Sequence, residues 1–159
     1  MPTARGHLSF DPRVASIDSK PWWLILRCDY AWYEMYERWI TRAGYGKRWV
    51  RAIDSLRVNP DGQSLDLAPR LALSGGVMPP AWGPHISVMR GERPRAQEAK
   101  WGKYEGYQYT FEYNPEDIRR NGEYIWTPVR CGELLDLRET FGLRRDPGIP
   151  LHLTIAHWK

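Results

Sequence analysis

Cysteine is scarce: Cys28 and Cys131 are the only two in 159 residues. Two thiols cannot build a four-thiolate zinc site and are poor grounds for a secreted disulfide scaffold, so a reduced, cytoplasmic chain is expected. Long apolar runs are missing too. The longest, Trp22 to Leu26, falls far short of the roughly 20 residues a bilayer-spanning helix needs, and the opening MPTARGHLSFDPR lacks the apolar stretch of a signal peptide. No five like charges stand together. The formal net charge is +4 and the sequence pI about 9.2, yet Lys and Arg are scattered. That distribution argues against duplex nucleic acid as a partner and for a compact anionic ligand. Histidine is rare as well, with four residues in all.

Against these absences, hydrophobic residues make up 42 % and charged residues 26 %, which is enough for a folded domain. Nine Trp and nine Tyr are the excess. They serve core packing first and base stacking second. Residues 1–21, broken by Pro2, Pro12 and Pro21, read as a loosely held N-terminal arm, with one domain over 22–159. Trp22 to Cys28 has the length and continuous apolarity of a strand buried on both faces. Trp32, Met35, Tyr36, Trp39 and Ile40 recur at helical spacing from Tyr30 to about Arg42, with Asp29 as cap and Gly44 and Gly46 as terminators. Trp49–Leu56 suggests a short helix, Pro60-Asp61-Gly62 a turn, and Ser74–Pro80 a connection. Strands are expected at Pro84–Arg90, Tyr107–Tyr113, Tyr124–Cys131 and Leu151–Trp158, and a helix over Glu133–Phe141 closed by Gly142. The order strand, helix, His-bearing strand therefore occurs twice, which suggests two related lobes.

Each of those two strands carries the same short motif, His85-Ile86-Ser87 and His152-Leu153-Thr154. Side chains two apart on a strand share a face. His85 and Ser87 then share a face, as do His152 and Thr154, with Ile86, Val88, Leu153 and Ile155 on the opposite, apolar side, so that two imidazoles and two hydroxyls can converge from two strands on one small volume. Phosphoester cleavage needs such parts. A neutral imidazole takes the proton of the attacking oxygen, an imidazolium returns one to the leaving oxygen, and hydroxyls stabilise charge on the phosphate. A single His-x-Thr is common in strands; two copies among four histidines carry the argument. A metal is not expected, because position i+2 holds a hydroxyl and His157 falls on the other face of a regular strand.

At these residues the chain resembles the 2H phosphoesterase superfamily, named for two His-x-Thr/Ser motifs. Trp82-Gly83-Pro84-His85-Ile86-Ser87-Val88-Met89-Arg90-Gly91-Glu92, Trp101-x-Lys103-Tyr104-Glu105-Gly106 and the closing Leu-His-Leu-Thr-Ile look like phage-encoded members. Among these, the resemblance is to anti-CBASS phosphodiesterases, which cleave cyclic oligonucleotide alarm signals of bacteria. It runs from about Trp22 to Trp158. The first motif has Ser where the superfamily has Thr, which keeps the hydroxyl. The resemblance implies an α+β, bilobal fold, with two pseudo-symmetric antiparallel sheets and flanking helices around a central cleft. It implies a metal-independent enzyme without cofactor that opens 3′–5′ phosphodiester bonds of cyclic di- or oligonucleotides in the host cytoplasm. His85 and His152 would be acid and base, and Ser87 and Thr154 the phosphate binders. By position, Tyr30 and Trp101 are candidate base-stacking residues. Arg90 lies opposite in facing to Ser87 on an ideal strand and reaches phosphate only where the strand twists or bulges. The alternatives are an RNA 2′,3′-cyclic phosphodiesterase, a non-catalytic nucleotide binder, or an RNA-binding module using the aromatic strand Tyr107–Tyr113.

Overall fold

A computed structural model of the chain describes residues 2–12, 21–42, 77–78, 84–122 and 124–158. The expected helix Trp49–Leu56, the turn at Pro60–Gly62, and the Trp82-Gly83 part of the resemblance lie outside these residues. In chain order the elements are β1 (Thr3–Phe10), β2 (Trp23–Arg27), α1 (Asp29–Arg42), β3 (Val77–Met78), β4 (His85–Arg90), a 3₁₀ turn (Glu98–Lys100), β5 (Gln108–Tyr113), β6 (Arg119–Asn121), β7 (Tyr124–Arg130), α2 (Gly132–Thr140) and β8 (His152–Trp158). The elements around the motifs fall where the residue periodicities place them.

Their assembly does not. All strands of the described residues belong to one antiparallel sheet ordered β3-β8-β4-β2-β1-β5-β7-β6, and β8 also pairs with β7. Six strands thereby close into a ring, β1-β2-β4-β8-β7-β5 and back to β1, with β3 and β6 attached outside it. The expected bilobal α+β fold, two separate sheets with flanking helices around a cleft, is overturned by this closed barrel, which has two α-helices among the described residues. The cause is β1. It pairs with β2 along His7–Phe10 and with β5 along Thr3–His7, so the two strand-helix-strand repeats are welded at both junctions rather than one. Closure leaves those six strands no bare edge.

The same strand corrects the loose arm over residues 1–21. Ala4, Gly6, Leu8 and Phe10 alternate with Thr3, Arg5, His7 and Ser9, and Leu8 is fully buried. Gly6 is obligatory there, because a Cβ would stand 2.5 Å from the Arg27 carbonyl oxygen and 2.7 Å from Leu26 Cγ.

One hydrophobic core joins the apolar face of the wall to both helices. Leu8, Leu24, Leu26, Ile86, Phe111, Ile125 and Leu153 meet Trp32, Met35, Tyr36 and Trp39 of α1 and Leu134 and Leu137 of α2. Each large side chain buried there contributes about 1.5–3 kcal/mol against exposure. Trp32 and Tyr36 stack with centroids 4.8 Å apart, as residues one turn apart on a helix can. At the end of α2, Gly142 has φ +74° and its N–H donates to the Glu139 carbonyl, while Leu143 N–H reaches back to Arg138. This six-to-one closure stops the helix cleanly. No helix of the described residues is long and apolar enough to cross a membrane.

Candidate active site

β4 and β8 lie side by side in the wall, with Ile86 opposite Leu153. In an antiparallel pair that register sets His85 beside Thr154 and Ser87 beside His152. Ile86 and Leu153 are fully buried in the core, so the four motif side chains all stand on the opposite face, each half-buried. The two imidazoles are diagonal neighbours across the pair, a relation that separates such residues by about 7–8 Å, and their Cβ atoms by somewhat less. A tetrahedral group fits between rings so placed. Neither the Ser87 nor the Thr154 hydroxyl is engaged by another described residue.

Each motif is followed by one extra residue. The β2–β4 register shifts between Leu24 and Ile25, which leaves Val88 unmatched on β4. The β7–β8 register shifts between Ile125 and Trp126, which leaves Ile155 unmatched on β8. Such bulges free backbone groups from the ladder and re-aim the residues beyond them. Both freed carbonyls are taken by a buried side chain from the helix of the other repeat. Arg138 Nη1 donates to Val88 O at 2.8 Å, and Trp32 Nε1 donates to Ile155 O at 2.8 Å. The duplicated element order is thus matched by duplicated local geometry, inside one barrel instead of two lobes.

The bulge at Val88 also settles the facing of Arg90. Beyond it, β4 pairs Met89 with Leu24 and Arg90 with Trp23, and the Arg90 guanidinium arrives on the motif face, with Nη2 3.4 Å from His152 Nε2. Glu92 holds that strand end. Its carboxylate accepts both Arg138 terminal nitrogens, at 2.8 and 3.0 Å, and the Arg90 backbone N–H at 3.3 Å. Arg138 itself is only 2 % exposed. Those hydrogen bonds keep the Glu92 carboxyl below the usual carboxylate range, and burial lowers the pKa of Arg90.

His152 is the better defined of the two imidazoles. Nδ1–H donates to the Pro150 carbonyl at 2.8 Å, which leaves the Nε2 lone pair facing Arg90. Burial pushes its pKa below the ordinary 6.5 and the Arg90 charge adds to this, against the opposing pull of the Pro150 carbonyl. It is therefore neutral near pH 7, in the tautomer with Nε2 free to accept a proton. The Trp126 ring meets the His152 ring edge-on at 5.5 Å, and the Arg119 guanidinium lies 5.3 Å from the Trp126 ring centre.

The structure thus brings His85, Ser87, His152, Thr154 and Arg90 together. It does not bring Trp101 to them: that indole donates to Asp11 at 2.9 Å and its ring packs edge-on against Phe10, Trp22 and Phe141. Its work is structural. Tyr30 lies in the first turn of α1, and its side chain is outside the described residues. The motifs assign no site role to Trp126 or Arg138, and helical spacing places Trp32 only on the apolar face of α1. Trp126 was detectable from the alternation of β7, where it shares a face with Pro128; the other two act through bulges that no pattern announces. Among the described residues no three of His, Cys, Asp and Glu gather as a metal site would require. A cavity of about 640 Å³ lies elsewhere, between Glu92–Arg95 and Leu143–Gly148, and none of the motif residues lines it. The concavity and the chemistry disagree in position; the paired motifs, with their acid–base groups in register, are the firmer guide. Comparison with family models, curated proteins and solved structures finds no match to this chain.

Proposed function

We propose that the protein is a metal-independent phosphodiesterase in which His152 is the general base and His85 the general acid. The observation that carries this is the register of β4 against β8, which lays both His-x-Ser/Thr motifs on one face of adjacent strands. The phosphate sits between the rings. His152 Nε2 takes the proton of the attacking oxygen, which in a nucleotide substrate is the 2′-hydroxyl next to the scissile bond. The new O–P bond forms as the bond to the 5′ oxygen breaks, and protonated His85 gives that oxygen its proton. Water then opens the cyclic phosphate with the two roles exchanged. Ser87, Thr154 and Arg90 hydrogen-bond the non-bridging oxygens as charge grows on them. The Arg90 contact to Nε2, at 3.4 Å, is long for a hydrogen bond and costs little to exchange for the phosphate. Acid–base help of this kind gives about 100- to 10,000-fold per group.

Cyclic di- or oligonucleotide signals are the substrate class we favour, with evasion of bacterial CBASS defence as the biological role. Support comes from the resemblance of both motif segments to phage anti-CBASS phosphodiesterases and from the cationic and aromatic side chains around the rings. The test is chromatography of products from cyclic dinucleotides and nucleoside 2′,3′-cyclic phosphates incubated with the protein in EDTA. Turnover of the former, abolished by His85→Ala and by His152→Ala, is expected. Turnover of 2′,3′-cyclic phosphates alone would move the substrate to RNA ends, and no turnover of either would remove the enzyme reading.

A further inference from the structure

β7 brings a large aromatic ring onto the motif face. Ile125, Thr127 and Val129 are buried on the core side, so Trp126 and Pro128, which alternate with them, stand with the motifs, both half-buried. The register with β8 sets Trp126 opposite Thr154 and Pro128 opposite His152. Trp126 is thus one strand spacing, about 4.8 Å, from the strand that carries His152 and Thr154. Its ring meets His152 edge-on at 5.5 Å. Arg119, opposite Trp126 on β6, lies over the indole at 5.3 Å. That guanidinium already has its counter-charge, because the Asp117 carboxylate accepts its Nε and Nη2 at 2.9 Å each. Arg119 therefore backs the ring as a paired cation. The indole N–H sets Trp126 apart from the structural tryptophans. Trp32 donates to the Ile155 carbonyl and Trp101 to Asp11. The N–H of Trp126 meets no acceptor among the described residues and is not buried, so it opens to solvent. A tryptophan used for packing alone usually buries that end against a partner.

We infer that Trp126 stacks the base of the nucleoside whose 2′-hydroxyl attacks, so that the site holds the base on the 5′ side of the scissile bond and not the one beyond it. The inference rests on the reading of His152 as general base and names which half of the substrate that site grips. In an in-line displacement the attacking and leaving oxygens stand on opposite sides of phosphorus. The attacking ribose lies at His152, whose strand is bordered by β7, and the leaving nucleoside lies toward His85 and β4. An indole offers a broad, rigid face to a base at little entropic cost, and it serves every base because each has a π-face.

The test is equilibrium binding of three dinucleotides: dApdA, its analogue without the 5′ base, and its analogue without the 3′ base. These deoxy ligands have no attacking hydroxyl, so affinity is read without turnover. Loss of the 5′ base should weaken binding to the wild type by at least about fivefold, the low end of what stacking on an aromatic supplies. Loss of the 3′ base should cost less than about twofold, as expected for a base with no such partner. Trp126→Leu, which keeps an apolar side chain and removes the ring face, should abolish the difference between the two analogues. Trp126→Phe should retain part of it, and Arg119→Gln should lower it in part. The comparison of ligands on the wild type needs no variant to fold, and melting curves check the three variants. Equal losses from either base, a difference that survives Trp126→Leu, or no binding of dApdA overturns the inference. So does an equal fall in affinity for all three ligands in Trp126→Leu, which would assign the indole to packing His152. A difference between the bases without turnover of the ribose forms would instead fail the catalytic reading of the histidines and leave the stacking site standing.

Discussion

Arg90 and His152 meet because β4 carries one residue more than β2 between the motif and the strand end. Without the bulge at Val88, Arg90 would share a face with Ile86 and the core. With it, the guanidinium stands 3.4 Å from His152 Nε2. That proximity has a consequence in pH. His152 is held below the ordinary 6.5 by burial first and by Arg90 second. The acid limb of kcat/KM should therefore lie below the usual imidazole range, and Arg90→Gln should move it to higher pH while lowering kcat. An acid limb that does not move in Arg90→Gln would separate the two residues functionally.

The same shift enters stability with a definite sign. A folded pKa below the unfolded one means that the unfolded chain binds more protons between the two values. His152 therefore contributes stability that is fully present above 6.5 and is lost as pH falls through its lower folded value. Urea melts at pH 7.5 and pH 5 should show a loss in the wild type that is smaller in His152→Asn.

Arg138 ties α2 to both the bulge and Glu92, so its removal leaves Val88 O unsatisfied and Glu92 without its main partner. Arg138→Met should cost about 2–4 kcal/mol, the range for breaking a charge-assisted network at a buried position. It should also release the Arg90 backbone N–H from a fixed Glu92 and so raise the acid limb of the pH profile. Arg138→Lys, which keeps the charge and loses the fork, should recover stability only in part. A melting curve like that of the wild type in Arg138→Met would show that the network is dispensable.

What the sequence shows and hides divides along the same lines. The facing of His85 with Ser87, and of His152 with Thr154, follows from a two-residue period and was readable directly. The facing of Arg90 was not, since it depends on one unmatched residue in the register between β2 and β4, strands about sixty positions apart in the chain. Ring closure was hidden for a related reason. The alternation in Thr3–Phe10 is present, but its inward residues include Ala4 and Gly6, which carry little hydrophobic signal, and the flanking prolines suggested a loose segment. Glycine is there because the β2 backbone passes too close for a side chain, a long-range fact that no local pattern encodes.

β1 as a structural strand yields its own prediction. Gly6→Ala forces a methyl against the Arg27 carbonyl and the Leu26 side chain, where neither backbone can retreat without breaking the β1–β2 ladder. Overpacking of this kind costs about 1–3 kcal/mol. Removing residues 1–12 should do more, since it opens the ring and exposes edges of both β2 and β5. Thermal melting of the two variants checks this; a truncated chain that melts as the intact one does would return these residues to the status of an arm.

Trp32 offers the cleanest separation of packing from hydrogen bonding. Its indole N–H donates to the carbonyl of Ile155, the unmatched residue that follows Thr154, at 2.8 Å and in a fully buried setting. Trp32→Phe keeps an aromatic ring against Tyr36 but removes that donor, which leaves a buried acceptor unsatisfied at a cost of about 1–3 kcal/mol. Because the bulge sets where β8 resumes its pairing with β7, the lost bond should loosen the strand just beyond Thr154. Backbone amide exchange in Thr154–Ala156 should then quicken more than exchange in the β1–β5 ladder, and kcat should fall with little change in KM. Uniformly faster exchange across all strands would assign Trp32 to packing alone.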